Sequence, residues 1–370
     1  MTTQLHTEVP YSRLYLVGDN APWVLSEEAR SVQAVAARLG IQAEVVADVT
    51  SIRQQCIFFI SRYAMFQTIE HDRANRLAFA YFHGTPGTGY PEFDDMFQRL
   101  SFWHPRISRV HVSYSEMEEV MARTGMDRAK IHRIPLAVEL DLFRMRTSID
   151  RAGSRAALGI PRDAFVVGSF QKDGNGWGDG FEPKLIKGPD IFLKAIDGVR
   201  DRIPGLMVLL TGPARGYMKR GLEQLHVPYK HVQVDRYQDV AVCYHAIDAY
   251  VVASRQEGGP KAILESMACG VPLVTTRVGQ AIDLVHHGVN GWMTAPEDAN
   301  HLAAGILAIH HDPRAWEAIA LNGRLTAEAN SYERQSSLWH RFFDGFVVPV
   351  PRHGTRMMGG NIQTTERRMP

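Results

Sequence analysis

Two carboxylates, Glu257 and Glu265, stand eight residues apart across a glycine pair, a proline and a short run of helix formers. Pro260 suits a first helical position, where a missing N–H removes nothing the helix would use. Gly258 and Gly259 let the backbone approach a ligand with no Cβ in the way. Gly270 falls where a left-handed cap belongs, and Pro272 follows closely. The spacing predicts a loop over 257–259, a helix over about 260–269 and a strand over 272–276.

Free N–H groups and the positive end of the helix dipole would then point out of the helix start, which suits a phosphate or diphosphate. Glu257 would lie in front of that anion hole and Glu265 inside the helix, roughly 12 Å or less away at about 1.5 Å per residue. That span matches the two sugars of a nucleoside diphosphate sugar, one on each side of the diphosphate. The plainer reading is a surface helix with two solvated glutamates.

A second cluster runs from Gly168 to Asp190, where a strand ends and a glycine-rich loop follows. Open α/β sheets bind ligands at such carboxyl ends. Lys187 stands just before a helix start at Gly188 and Pro189, where an ammonium can stabilise charge on a departing diphosphate. Lys172, in the loop, is a second candidate cation, against the alternative of a solvated surface lysine. Arg215 follows another strand and is read either as a phosphate contact or as an exposed loop arginine. His83 closes a strand before a glycine-rich turn, where it can handle a proton or only donate a hydrogen bond. The glycines of 174–180 and Trp177 receive no role.

The segment 254–276 resembles the E-x7-E signature of family 4 glycosyltransferases, retaining enzymes of the GT-B fold. Asp235 to Tyr237 and Cys243 to Ser254 resemble the elements that lead into that signature. Val278 to Gln280 with Val289 to Trp292 resembles its exit, although the acidic position there reads Asp283 and carries nothing over. Ile134 to Phe143 resembles the interdomain segment and departs from it at Leu136 and Ala137. The similarity covers roughly residues 80–345 and is strongest in the second half.

The resemblance implies an α/β chain of GT-B architecture, with two Rossmann-like domains whose parallel sheets face a central cleft. It implies a nucleotide-sugar donor, UDP- or GDP-linked, on the second domain. A saccharide, lipid-linked saccharide or small-molecule acceptor would occupy the first. Glu257 would hold hydroxyls of the transferred sugar and Glu265 the ribose. Lys187, Gly258, Gly259 and Lys172 would stabilise the diphosphate, with Pro260, Lys261 and Arg215 as further donor contacts. Lys187 fits the lysine of the family's K-G-x-D segment, Lys172 compensates for an arginine where Ser169 stands, and His83 corresponds to a cleft histidine. Ser113 to Ser115 resembles the family's serine turn, while Ser115 also fits as the cap of the next helix.

At 370 residues the chain suits two domains. Lys plus Arg number 41 against 40 Asp plus Glu, so no global field drives the chain to nucleic acid. The three cysteines, Cys56, Cys243 and Cys269, lie mostly in apolar runs and read as buried thiols of a reducing compartment. With no signal peptide and no membrane span evident, a cytoplasmic enzyme is expected, with peripheral membrane attachment left open.

Short apolar runs alternate with helical patterns, as parallel α/β sheets require. Strands are predicted near 14–18, 42–46, 56–60, 77–82 and 110–113, with helices over 26–39 and 115–123. Residues 1–145 form the expected first domain, with 135–154 as linker. The expected second domain, 155–330, has strands at 165–169, 206–211, 232–234 and 249–253 and a helix at 188–199. A helix over 332–346 could return to the first domain, and the tail 351–370 reads as disordered. No G-x-G-x-x-G stands at Gly18 or in the loop after Gly168, which weakens a dehydrogenase reading. His286–His287 and His310–His311 are adjacent pairs that make poor chelates, so no obligatory metal or other cofactor is expected. The alternatives are another GT-B enzyme, such as a nucleotide-sugar epimerase or a phosphorylase, and a non-catalytic nucleotide-sugar binder.

Overall fold

The structure is a computed structural model that describes residues 9–18, 24–60 and 62–349, so the expected tail 351–370 lies outside the described residues. Strands β1 (Arg13–Val17), β2 (Gln42–Val46), β3 (Cys56–Phe59), β4 (Arg76–Tyr81), β5 (Ile107–Val112) and β6 (Ile131–Arg133) form one six-stranded sheet. Its order is β2-β1-β3-β4-β5-β6 and its pairings are parallel.

The second sheet holds β7 (Phe165–Ser169), β8 (Leu206–Thr211), β9 (Tyr229–Val232), β10 (Ala249–Val252), β11 (Leu273–Thr276) and β12 (Trp292–Thr294). Its order, β12-β11-β10-β7-β8-β9, reverses direction between β7 and β10, and all its pairings are parallel. This is the doubly wound arrangement whose switch point leaves a crevice at the strand ends.

Side-chain alternation explains why both sheets are covered on both faces. Along β3, Cys56 and Phe58 join the cluster of Leu14 and Leu16, while Ile57 and Phe59 join that of Leu77 and Phe79. In the second sheet Val166, Tyr250 and Val252 pack on one face, and Val167, Val208 and Val251 on the other. Near-continuous apolar strands of this kind require helices on both sides. Helix Ser336–Phe343 supplies one such cover, placing Trp339, Phe342 and Phe343 in the cluster of Leu14 and Phe58.

Several boundaries differ from expectation. The end of the predicted linker is a helix, Ser148–Leu158, opened by a reciprocal capping box between Thr147 and Asp150 and closed by Gly159 at φ 66°. The strand expected over 232–234 is Tyr229–Val232, and Gln233 and Val234 instead follow it into the crevice. The last helix starts at Ser336, because residues 330–335 form the chain's second passage between the sheets. There Val138 donates to the Asn330 carbonyl at 3.3 Å, and Gln335 donates to the Pro135 carbonyl at 3.0 Å. The three cysteines are free and buried.

Candidate functional site

A cavity of about 490 Å³ opens at the carboxyl ends of β7 to β10. One wall comes from residues 170–172 and 211–213, which leave β7 and β8, and another from helix Lys261–Ala268. Pro260 is that helix's cap rather than its first residue, with φ −71° and its carbonyl accepting from Ile263 N at 3.1 Å. Gly259, Pro260, Lys261 and Ala262 all line the cavity, so the helix presents its amino end there. Gly270 closes the other end in the left-handed region at φ 66°, as its spacing predicts.

Lys187 and Glu257 meet on the cavity wall. The ammonium donates to Oε1 and Oε2 at 2.7 and 2.6 Å, and Ser254 Oγ donates to Oε1 at 2.8 Å. Gln171 steadies the pair, donating to the Lys187 carbonyl at 2.8 Å, with its Oε1 3.2 Å from Ser254 Oγ. Local backbone makes the meeting feasible. Lys187 ends a short 3-10 turn, and Gly188 follows at φ 62°. A Cβ at Gly188 would lie 1.9 Å from the Ala253 carbonyl oxygen, so only glycine lets this turn sit against the end of β10.

Glu265 is buried on the same wall, where Tyr237 donates to Oε1 and Tyr244 donates to Oε2 at 2.8 Å. Burial pushes the carboxyl above its ordinary range, against the opposing pull of the tyrosine hydroxyls and Lys261. Burial, and then the carboxylate itself, hold both phenols well above their usual range, so they stay protonated donors. No spacing in the sequence links either tyrosine to Glu265, because they lie 28 and 21 residues from it. Tyr237 stands in the Asp235 to Tyr237 segment, which was a usable signal for a lining position but not for this bond.

Glu257, Glu265, Lys187, Lys172, Gly259, Pro260 and Lys261 line one cavity. Lys172 rests its ammonium 3.8 Å from the centroid of Trp177, which gives that exposed indole a contact its sequence context did not suggest. The other sequence candidates need correction. Arg215 is not exposed and does not line the cavity. It is fully buried, pairs with Asp173 at 3.0 Å, and donates to the Ser169 and Thr211 carbonyls at 2.8 Å.

Lys261 touches the cavity, but its ammonium points to Glu28 Oε2 at 2.8 Å and Tyr332 OH at 2.7 Å. A diphosphate would have to break this buried pair to claim it, so its assignment as a donor ligand is not supported. His83 does not line the cavity. Its ring packs edge-on against Phe93 at 4.2 Å and Tyr81 at 6.0 Å, beside the first sheet.

Gly258 is required for a reason other than ligand approach. A Cβ there would lie 2.0 Å from the Phe82 carbonyl carbon, so this loop abuts the first domain, and Ser113 Oγ donates to the Gly258 carbonyl. Gly259 is similarly confined, with Ser113 Oγ 2.8 Å from its would-be Cβ. Ser115 is not the cap of helix Ser115–Arg123. Its N–H and Oγ both donate to Asp283 of the second domain, the N–H at 2.8 Å, so a carboxylate from across the cleft caps that helix.

Residues 180–312 match the family described as Glycosyl transferases group 1. Among curated relatives, D-inositol 3-phosphate glycosyltransferase 1 of Catenulispora acidiphila is 29% identical over 220 residues, 55% of this chain and 49% of that protein. D-inositol 3-phosphate glycosyltransferase of Mycobacterium bovis is 28% identical over 276 residues, 66% and 54% of the two chains. The chain thus spans about half the length of the curated relatives it matches.

Two solved structures share the architecture. Anabaena HepE in complex with UDP-glucose superposes with a TM-score of 0.71 at 17% identity, covering 90% of this chain and 99% of that one. Sucrose-phosphate synthase from Thermosynechococcus elongatus gives 0.69 at 18% identity, covering 90% and 98%. With the two parallel sheets, this likeness establishes the GT-B fold.

Proposed function

We propose that this chain is a glycosyltransferase that moves a sugar from a nucleotide-sugar donor to an acceptor hydroxyl, with retention at the anomeric carbon. The observation that carries the reading is the Lys187–Glu257 pair beside the amino end of helix Lys261–Ala268. A cation, a helix start and a sugar-binding carboxylate within one crevice are what a nucleoside diphosphate sugar needs. The UDP-glucose bound to HepE supports a UDP-linked donor, and the curated relatives named as glycosyltransferases support sugar transfer.

Donor binding would place the diphosphate against the helix start and Lys187, drawing the ammonium off Glu257. The freed carboxylate then accepts hydrogen bonds from hydroxyls of the transferred sugar, while Glu265 faces the ribose. The bond between the anomeric carbon and the diphosphate oxygen breaks, and its electron pair leaves with the nucleoside diphosphate. Lys187 stabilises the charge that develops there. The acceptor oxygen attacks from the same face and forms the new bond to the anomeric carbon. Its proton passes to a donor phosphate oxygen. Lys187 and the helix dipole supply positive potential in place of a metal, and the acceptor enters from the first domain. A saccharide, a lipid-linked saccharide or a small polyol is the class of acceptor proposed.

The test is incubation with UDP-, GDP-, ADP- and dTDP-sugars and an acceptor panel, with and without EDTA. The products are read by mass spectrometry and the anomeric configuration by NMR. EDTA-insensitive transfer from a UDP-sugar with retention is expected. Transfer with inversion would remove the mechanism, and conversion of the donor without an acceptor would favour an epimerase. Binding without turnover across the panel would favour a sugar-nucleotide binding protein.

A further inference from the structure

Three buried polar groups meet beside the cleft, and one of them, Lys261, also lines the cavity. Glu28 comes from helix Val24–Arg38 of the first domain, Lys261 from the first turn of helix Lys261–Ala268, and Tyr332 from the second passage between the sheets. Lys261 Nζ lies 2.8 Å from Glu28 Oε2 and 2.7 Å from Tyr332 OH, and the phenol donates to the same carboxylate oxygen at 2.6 Å. The Lys261 and Glu28 side chains are only 5% and 1% exposed.

Local helix stability does not account for a lysine here, because a cation in the first turn opposes the helix dipole. Its partners lie 233 and 71 residues away, in parts of the chain that come together only when the two sheets face each other closely. Removing one partner of a desolvated ion pair leaves an uncompensated buried charge and is strongly destabilising, whereas replacing both with apolar side chains is often tolerated.

The surrounding contacts tie the same helix start to the first domain. Gln280 accepts from Leu136 N at 2.8 Å and donates to the Pro260 carbonyl at 3.2 Å, and Gly258 abuts Phe82. These contacts hold Lys261 and the loop that carries Glu257 to the first domain together.

We propose that Glu28, Lys261 and Tyr332 form a buried interdomain lock that holds the start of helix Lys261–Ala268 against the first domain. Lys261 is thus a positioning residue, and the lock sets the spacing between donor and acceptor. The kinetic consequence rests on the glycosyltransferase reading, whereas the lock itself does not.

The experiment compares wild-type protein with Glu28→Gln, Lys261→Met, Tyr332→Phe and the double variant Glu28→Leu/Lys261→Met. Small-angle scattering without ligand is expected to show a larger radius of gyration for Glu28→Gln and Lys261→Met, with the double variant restored to the wild-type value. In transfer assays Glu28→Gln should keep UDP affinity within about threefold while kcat falls at least tenfold, and the double variant should recover most of that loss. Tyr332→Phe, the mildest change, should lie between wild type and the charged singles, and it keeps the test readable if a single variant fails to fold. Wild-type scattering and kcat in all variants would overturn the lock. So would loss of UDP affinity in Lys261→Met with Glu28→Gln unaffected, which would make Lys261 a donor ligand. If wild-type protein transfers no sugar, the functional reading falls and scattering alone decides the lock.

Discussion

Lys187 contacts both carboxylate oxygens of Glu257, at 2.7 and 2.6 Å, although 70 residues separate them. Each group neutralises the other, and in the proposed mechanism a diphosphate that takes the lysine would release the carboxylate to the sugar. On that mechanism, donor binding and carboxylate availability would be coupled through this ion pair. Glu257→Ala should lower turnover by about 100-fold or more while UDP affinity changes by no more than about threefold. Steady-state kinetics alongside nucleotide titration check this, and unchanged turnover would remove Glu257 from the mechanism.

Glu265 carries a pH signature. Burial, the largest influence, raises its carboxyl above the unfolded value of about 4.3. A raised acid contributes stability that is fully present below the unfolded pKa and is lost as pH rises through the folded pKa. The stability difference between wild type and Glu265→Gln should therefore shift against the wild type as pH climbs from about 4. Denaturant unfolding of both proteins across that range measures it, and parallel curves would contradict the assignment.

A structural role is expected for the buried Arg215–Asp173 pair. Both side chains are buried, and removal of one partner strands the other charge. Asp173→Ala should cost about 3–5 kcal/mol of stability. Folded Asp173→Ala should bind UDP as wild type does. A selective loss of UDP affinity without destabilisation would return Arg215 to the donor site.

Gly258→Ala tests the seam between the domains. Its Cβ would fall 2.0 Å from backbone of Phe82, which cannot yield as a flexible side chain would. The domains must separate to admit it, so kcat should fall by about tenfold or more with a lower Tm. Wild-type kcat and Tm in this variant would show that the two domains do not meet here during turnover.

The sequence was most readable where the physics is local. The Gly-Gly-Pro entry and the Gly270 exit bracket the helix with small errors, and the apolar strands around Val167, Val208 and Val251 sit where alternation with helices puts them. The capping box at Thr147 and Asp150 is equally local, and it opens a helix inside the expected linker. What escaped was long-range. Arg215 looks like a loop cation until Asp173, 42 residues earlier by number, is folded beneath it. Lys261 looks like a donor contact until Glu28 arrives from the other domain. The tyrosines on Glu265 and the Asp283 cap of helix Ser115–Arg123 likewise depend on tertiary approach that no spacing encodes.

The central claim is that a diphosphate sits between Lys187 and the amino end of helix Lys261–Ala268. Calorimetric titration of UDP and of uridine into wild-type protein and Lys187→Ala tests it most directly. UDP should bind wild type at least about tenfold more tightly than uridine does, and Lys187→Ala should erase most of that difference. Equal binding of UDP and uridine to wild type, or an undiminished preference for UDP in Lys187→Ala, would contradict the account.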